Sequence, residues 1–443
     1  MKTVILGAGE SGTGAAILSK RTGADVFVSD AGRISDRYLQ ELSEHGIAFE
    51  QGGHDIARLL DADLVVKSPG IPQEHPAVGA LRSAGIPVIS DVELAYRHRG
   101  RSRFIGVTGS NGKTTTTALI HHICRHGGLD CALVGNIGVS VARQVALDPR
   151  EVYVTEVSSF QLDDIRDFRP DVAVLTNITE DHLDRYGHDM GNYVRAKFGI
   201  VRNQTSDDHF IYCADDPVTH RSLSAFPIRS HTLPYAMNRE LPRGAYILDD
   251  RMTVGGPDPL TMGVQDFSLR GRHNQYNTMA ACLAASVMAI RKERIREAVT
   301  HFESLEHRME RVAAVRGVEF VNDSKATNVN STWYALESMT TPVVLILGGV
   351  DKGNDYDLIR DLVREKVRAI VCLGRENDRI HEAFRDIVPG MVDSGSAEEA
   401  VAHAFRLARK GDTVLLSPAC ASFDLFRNYE DRGRRFKMAV KDL

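Results

Sequence analysis

Cysteine is scarce in this 443-residue chain, and the six present (Cys124, Cys131, Cys213, Cys282, Cys372, Cys420) contain no C-x-x-C pair. That spacing disfavours both a structural zinc site and a disulfide framework, and it points to the reducing cytoplasm. No apolar run approaches the roughly 18 residues a membrane-spanning helix needs. The apolar run before Gly7 is only Val4-Ile5-Leu6, so neither secretion nor membrane insertion is expected. A formal net charge of -5 supplies no basic field for nucleic acid. Local clusters such as Arg432, Arg434 and Arg435 read as surface or salt-bridge residues. Low-complexity tracts and short repeats are also missing.

What is present is phosphate chemistry. The apolar run Phe104 to Thr108 delivers the chain to Gly109-Ser110-Asn111-Gly112-Lys113-Thr114-Thr115, followed by a helix-prone stretch from Thr117 to Cys124. A strand, a Gly-rich turn and a helix start place backbone N–H groups and a positive helix end around a polyphosphate. In that reading Lys113 meets the β and γ phosphates and the Thr114 hydroxyl meets magnesium. The spacing departs from the common phosphate-loop rule, because the residue five before Gly112 is Val107.

A second Gly-rich turn, Gly7-Ala8-Gly9-Glu10-Ser11-Gly12, follows Val4-Ile5-Leu6, and the next strand-like run, Val26 to Val28, leads to Asp30. This is a dinucleotide-fold fingerprint, with Asp30 where an acidic residue meets a ribose. Alone it suggests a nicotinamide dehydrogenase. A second phosphate loop a hundred residues on is unexplained by hydride transfer, and the chain reads as built for two phosphorylated ligands.

Strand-like and helical stretches alternate throughout, which predicts an α/β protein of about three domains. The divisions fall near residues 1–91, 92–303 and 304–443. Expected strands are Val4–Leu6, Val26–Val28, Leu64–Val66 and Val88–Ile89 in the first; Phe104–Thr108, Val152–Val157 and Val172–Thr176 in the second; and Gly317–Asn322, Val343–Leu347, Ala369–Leu373 and Thr413–Leu416 in the third. A long helix is expected near Asn274 to Arg291, and another from Asn192 to Arg202 that carries Lys197 as an ordinary, solvated helical lysine.

Several strand exits carry chemistry. Gly70, in the turn Ser68-Pro69-Gly70-Ile71-Pro72, borders the first ligand or is a plain turn. Glu156 ends a strand and lies beside the phosphate loop if the two strands are neighbours, where a hard cation takes oxygen. Asp181 and His182, in the polar run Thr176 to Asp184, are candidates for a metal or catalytic role at the same sheet edge. Asn322 to Asn328 and Ser417 to Asp424 suit a charged ligand.

The strings TGSNGKTT, NITEDHLDR, GRHNQYN, HRME, NDSKATN, GGVDKG and SPACASFD, taken in order over essentially the whole chain, resemble the Mur ligases of bacterial cell-wall synthesis. The Gly-rich turn at residue 7 favours the branch that adds D-glutamate to UDP-N-acetylmuramoyl-L-alanine. A ligase adding another amino acid and a folylpolyglutamate synthase are the neighbouring alternatives.

The resemblance implies a Rossmann-like N-terminal domain for the UDP moiety, a P-loop ATPase-like parallel sheet in the centre and a Rossmann-like C-terminal domain for the amino acid. It makes Gly109 to Thr115, Asn277, Arg308 and Asp323 contacts to ATP, and Ser11, Asp30, Gly70 and Asn136 contacts to the UDP-sugar substrate. Lys325, Thr327, Lys352, Ser422 and Tyr429 match positions that meet D-glutamate. Thr114, Glu156, His182 and Lys197 would surround two magnesium ions, with Lys197 carrying a CO2-derived carbamate. Lys113, Glu156, His182 and Lys197 form the implied catalytic set. Ser110 and Tyr429 depart from the more usual Thr and Phe. A monomer with no nucleic-acid partner is expected. A nucleotide-gated binding protein, which would bind ATP without substrate-dependent phosphate release, is the alternative from another class.

Overall fold

Among the described residues, three mainly parallel sheets organise the chain. The computed structural model describes residues 1–256, 258–302, 306–351 and 353–443. They fall into two compact units, Met1–Ser268 with Tyr276–Phe302, and Leu269–Gln275 with Glu303–Leu443.

The first unit holds two sheets. In the N-terminal one, β1 (Lys2–Leu6), β2 (Asp25–Asp30), β3 (Ala48–Gln51), β4 (Leu64–Lys67) and β5 (Val88–Ile89) run parallel in the order β3-β2-β1-β4-β5. The order reverses between β1 and β4, so the Gly7 turn and the Ser68 turn leave adjacent strands at the crevice where such sheets bind ligands. Gly7 has φ +87°, and a Cβ there would press on the Ser68 side chain at 2.8 Å, so the turn admits only glycine.

The central sheet contains β6 (Arg103–Thr108), β7 (Cys131–Gly135), β8 (Val152–Glu156), β9 (Val172–Leu175), β10 (His209–Cys213), β11 (His231–Met237), β12 (Ala245–Leu248), β13 (Arg251–Val254) and β14 (Leu260–Gly263). Their order is β14-β13-β12-β11-β10-β9-β6-β8-β7, with only the β12-β13-β14 pairings antiparallel. β8 and β9 are buried at every position, as expected for strands covered on both faces. They flank β6, so the exits of β8 and β9 border the phosphate loop on either side. The helix Val141–Leu147 packs on the helix Glu10–Arg21, and Arg143 donates to Glu10 at 2.8 Å. One apolar cluster runs from Ile5 through Phe104 to Phe210.

The second unit holds β15 (Glu310–Val315), β16 (Val318–Asn322), β17 (Val343–Leu347), β18 (Val367–Leu373), β19 (Gly390–Ser394) and β20 (Thr413–Leu416), ordered β15-β16-β20-β17-β18-β19. β15 and β16 form an antiparallel pair and the rest are parallel. β16, β20 and β17 are adjacent, which gathers their exits at one edge. The helix Tyr429–Lys441 closes the chain.

The expected strands all form, with ends shifted by a residue or two. β3, β7, β10 to β15 and β19 are additional. The helix bearing Lys197 is Met190–Phe198, earlier than expected, and ends in a 3-10 turn, Gly199–Val201. Among the described residues no helix is long and apolar enough to cross a membrane.

Candidate active site

The phosphate loop is stitched open by the exit of β9. Ser110 donates its backbone N–H to the Asn177 carbonyl at 2.8 Å, and Asn111 N–H donates to Asn177 Oδ1 at 2.9 Å. Thr176 Oγ1 donates to the Asn111 carbonyl at 2.6 Å, while Ser110 Oγ donates to Thr179 O at 2.8 Å and accepts from Thr179 N at 2.9 Å. The serine that replaces threonine thus serves as a two-way tie.

Gly109 (φ +145°) and Gly112 (φ +79°) sit where L side chains are strained, and a methyl on Gly112 would collide with Asn277 Oδ1. Gly112 is also the N-terminal cap of the helix Lys113–His126, whose first turn carries Lys113, the buried Thr114 and Thr115. The backbone groups of that first turn and the positive helix end suit an anion. Lys113 Nζ donates to the carbonyls of Gly109 and Ser110, each at 2.7 Å. Asn277 Oδ1 accepts from Thr116 Oγ1 at 3.1 Å, which places this predicted ATP contact against the loop.

Glu156 stands on β8 in register with Val107 of β6, only 2 % exposed. Asn136, expected to meet the UDP-sugar, donates through Nδ2 to Glu156 Oε1 at 3.0 Å. A predicted substrate contact and a predicted metal ligand therefore touch.

Lys197 overturns the solvated reading. It is 2 % exposed, with Nζ donating to Gly109 O at 2.7 Å and lying 5.2 Å from the Tyr193 ring centre. Burial, followed by the nearby Lys113 charge, drives its pKa well below the ordinary lysine value, against the pull of Asp181, Glu156 and Asp163. Asp163 is itself pushed up to about 6 by burial.

His182 is more exposed. Its backbone is left-handed (φ 54°), its Nε2 lies 3.6 Å from Asp181 Oδ2, and its ring packs edge-on against Phe160. Arg185, which the sequence reading did not single out, stacks on Phe160 at 4.3 Å and donates to the carbonyls of Pro69 and Gly70 at 3.3 and 3.5 Å. The Gly70 turn is thus tied to the NITEDHLDR exit. Asp30 accepts from Ala8 N at 2.7 Å, which fixes the Gly7 turn from the side, and Ser11 shares the buried Asp91 carboxylate with Gln161.

In the second unit, Asp323 is buried and accepts from Ser417 Oγ at 3.0 Å and Met309 N at 3.3 Å. Burial pushes its carboxyl up to about 7, opposed by the Ser417 hydroxyl and the Arg308 charge. Lys325 Nζ stands 3.8 Å over the Tyr429 ring, a cation–π contact. Ser422 is buried, Thr327 is half-buried, and Lys352 lies outside the described residues. Arg432 is not a surface residue: it is 1 % exposed, because the helix Tyr429–Lys441 turns it inward beside Gly433 and Phe436. Arg434 and Arg435 are exposed, as read.

Three family models match the chain: a Mur ligase MurD-like N-terminal domain over residues 1–90, a Mur ligase middle domain over 107–285 and a Mur ligase glutamate ligase domain over 307–420. A protein of Bacteroides fragilis named UDP-N-acetylmuramoylalanine--D-glutamate ligase is 52% identical over 443 residues, covering 100% of both chains. One of the same name from Salinibacter ruber is 42% identical, covering 100% of this chain and 98% of its own. Among solved structures, a pseudomurein peptide ligase type C from Methanothermus fervidus superposes with a TM-score of 0.63 at 18% identity, covering 100% of both chains. A UDP-N-acetylmuramate-alanine ligase from Thermotoga maritima gives 0.63 at 18% identity, covering 100% of this chain and 99% of its own. At that identity the two structures speak to the fold alone.

Proposed function

Because the chain belongs to the Mur ligase family, we infer that it is an ATP-dependent ligase joining D-glutamate to UDP-N-acetylmuramoyl-L-alanine in peptidoglycan precursor synthesis. The observation that carries the chemistry is the meeting of Lys113, Lys197 and the buried Glu156 at the exits of adjacent strands. A carboxylate does not expel oxide, so it must first be activated. The γ-phosphoryl of ATP passes to the terminal carboxylate oxygen and ADP leaves. The amine of D-glutamate then attacks the acyl phosphate, phosphate departs with the carbonyl–oxygen bond, and the nitrogen loses a proton.

In this reading Lys113 and the loop N–H groups hold the transferring phosphoryl, and Asn277, Arg308 and Asp323 hold the nucleoside. A buried hydroxyl and a buried carboxylate, Thr114 and Glu156, offer the oxygen donors that a hard cation takes, and these residues fit magnesium. Bound there, magnesium would offset the charge of the triphosphate. Lys197 and His182 would serve a second ion. The depressed basicity of Lys197 favours the neutral amine, whose lone pair adds to CO2 with loss of one proton and turns the side chain into a carboxylate-like anion. The nicotinamide reading explains none of these groups.

The division at residues 1–91, 92–303 and 304–443, a monomeric state and a cytoplasmic location belong to the same proposal, and six free cysteines agree with that compartment. The test is phosphate release with Mg-ATP and UDP-N-acetylmuramoyl-L-alanine, adding D-glutamate, L-glutamate, L-lysine or meso-diaminopimelate in parallel, with mass detection of the product. Release and a one-residue mass gain with D-glutamate alone is the expected result. Dependence on another amino acid would overturn the pocket, and no dependence on any would overturn the ligase.

A further inference from the structure

Arg432 spends every N–H it has inside the second unit. Nε donates to Ser324 Oγ at 3.0 Å and Nη2 to the Ser324 carbonyl at 2.9 Å. Nη2 and Nη1 both reach the Cys420 carbonyl at 3.2 Å, and Nη1 also approaches Gly348 O at 3.4 Å. Ser324 follows β16, Gly348 follows β17 and Cys420 follows β20, so one guanidinium ties the exits of three adjacent strands. Ser324 Oγ passes the link on to the Tyr429 carbonyl at 2.8 Å.

A guanidinium this deeply buried ordinarily has a carboxylate beside it, since desolvating an uncompensated charge is costly. Among the described residues Arg432 forms no ion pair; Asp424 and Asp323 act on it only at longer range, and burial lowers its pKa to about 10. An apolar side chain in its place would leave the carbonyls of Ser324, Cys420 and Gly348 without this donor. What the guanidinium alone offers is a planar fork of five donors that spans several carbonyls at once. Of the three exits it joins, that of β16 carries Lys325 and Thr327 and that of β20 carries Ser422, and Ser324 links them to the Tyr429 backbone.

We propose that Arg432 is the positioning residue of the amino-acid pocket, setting the three strand exits in the register at which their groups converge on the two carboxylates of the incoming amino acid. The proposal rests on the D-glutamate ligase reading. The full-length Arg432→Lys variant keeps the charge but cannot span three exits. Its KM for D-glutamate is expected to rise roughly tenfold to a hundredfold, the worth of hydrogen bonds to a charged group. Its KM for ATP should not change. Ser324→Ala, which removes only the hydroxyl link, should raise the same KM by a smaller factor and carries the test if the first variant does not fold. Wild-type KM for D-glutamate in both variants, or a lowered Tm and active fraction with that KM unchanged, would overturn the proposal. Absence of D-glutamate-dependent turnover in the wild type would instead sink the ligase reading itself.

Discussion

Lys113 and Lys197 donate to the same carbonyl oxygen, that of Gly109, each at 2.7 Å. One lysine opens the helix that follows the phosphate loop and the other comes from a helix eighty residues later, so the loop is the point where two cationic side chains are forced together. Burial first, and then the neighbouring Lys113 charge, lowers the pKa of Lys197 well below the ordinary lysine value.

Lys113 is half-buried in the loop and is the ammonium proposed to meet the polyphosphate. Lys113→Ala should therefore lower kcat by about a hundredfold or more, the usual loss for one electrostatic contact to a transferring group. Circular dichroism and Tm should stay close to wild type. Near-wild-type turnover in this variant would remove the loop from the mechanism.

For Lys197 the expectation is a dependence on CO2. Lys197→Ala should be inactive and regain turnover with short carboxylic acids, and the wild type should lose turnover in bicarbonate-free buffer. The sign of the pH effect on stability follows from the lowered pKa. The unfolded chain binds a proton that the folded chain sheds, so this group makes stability rise as pH rises toward the unfolded value of about 10.4. Insensitivity to both bicarbonate and added carboxylates would leave the lysine as a plain hydrogen-bond donor.

Asn136 and Glu156 touch at 3.0 Å, so the residue proposed to meet the sugar and the residue proposed to hold magnesium share a hydrogen bond. Asn136→Ala should raise both the KM for the UDP-sugar substrate and the magnesium concentration at half-maximal rate, by roughly tenfold for a bond to a charged group. A change in the first alone would show that Glu156 does not depend on Asn136.

The phosphate loop and the Gly7 turn were legible in the sequence because their requirements are local: a strand, a tight turn, a helix start. The exits of β8 and β9 stood out because each is polar just past an apolar run, but that both strands flank β6 was only a condition of the sequence reading. Lys197 and Arg432 were misread for one reason. Each is a charged residue whose burial is decided by partners distant in sequence, and charge suggests solvent. A helical signal existed in both cases: Lys197 lies four residues after the buried Tyr193, and Arg432 four before the buried Phe436. The strands β12 to β15, which make the antiparallel pairings, were missed because β12 to β14 bury only alternate positions and β15 buries none, a weaker pattern than a wholly buried parallel strand.

Asp323 carries the last expectation, which concerns pH. Its carboxyl, raised by burial to about 7, lies far above the unfolded value of about 3.9. Between those values the folded chain holds a proton that the unfolded chain has lost. Stability contributed at this group thus falls as pH rises from about 4 toward 7 and stays level above. In the proposed reading ATP binding draws on the opposite form, because an ionised carboxylate would accept from ribose hydroxyls and pairs better with Arg308. kcat/KM for ATP should therefore rise with pH through an inflection near 7. In Asp323→Asn that inflection should vanish and the plateau should fall about tenfold or more. An unchanged inflection in this variant would assign the titration to another group, with Asp163, raised to about 6, the next to substitute.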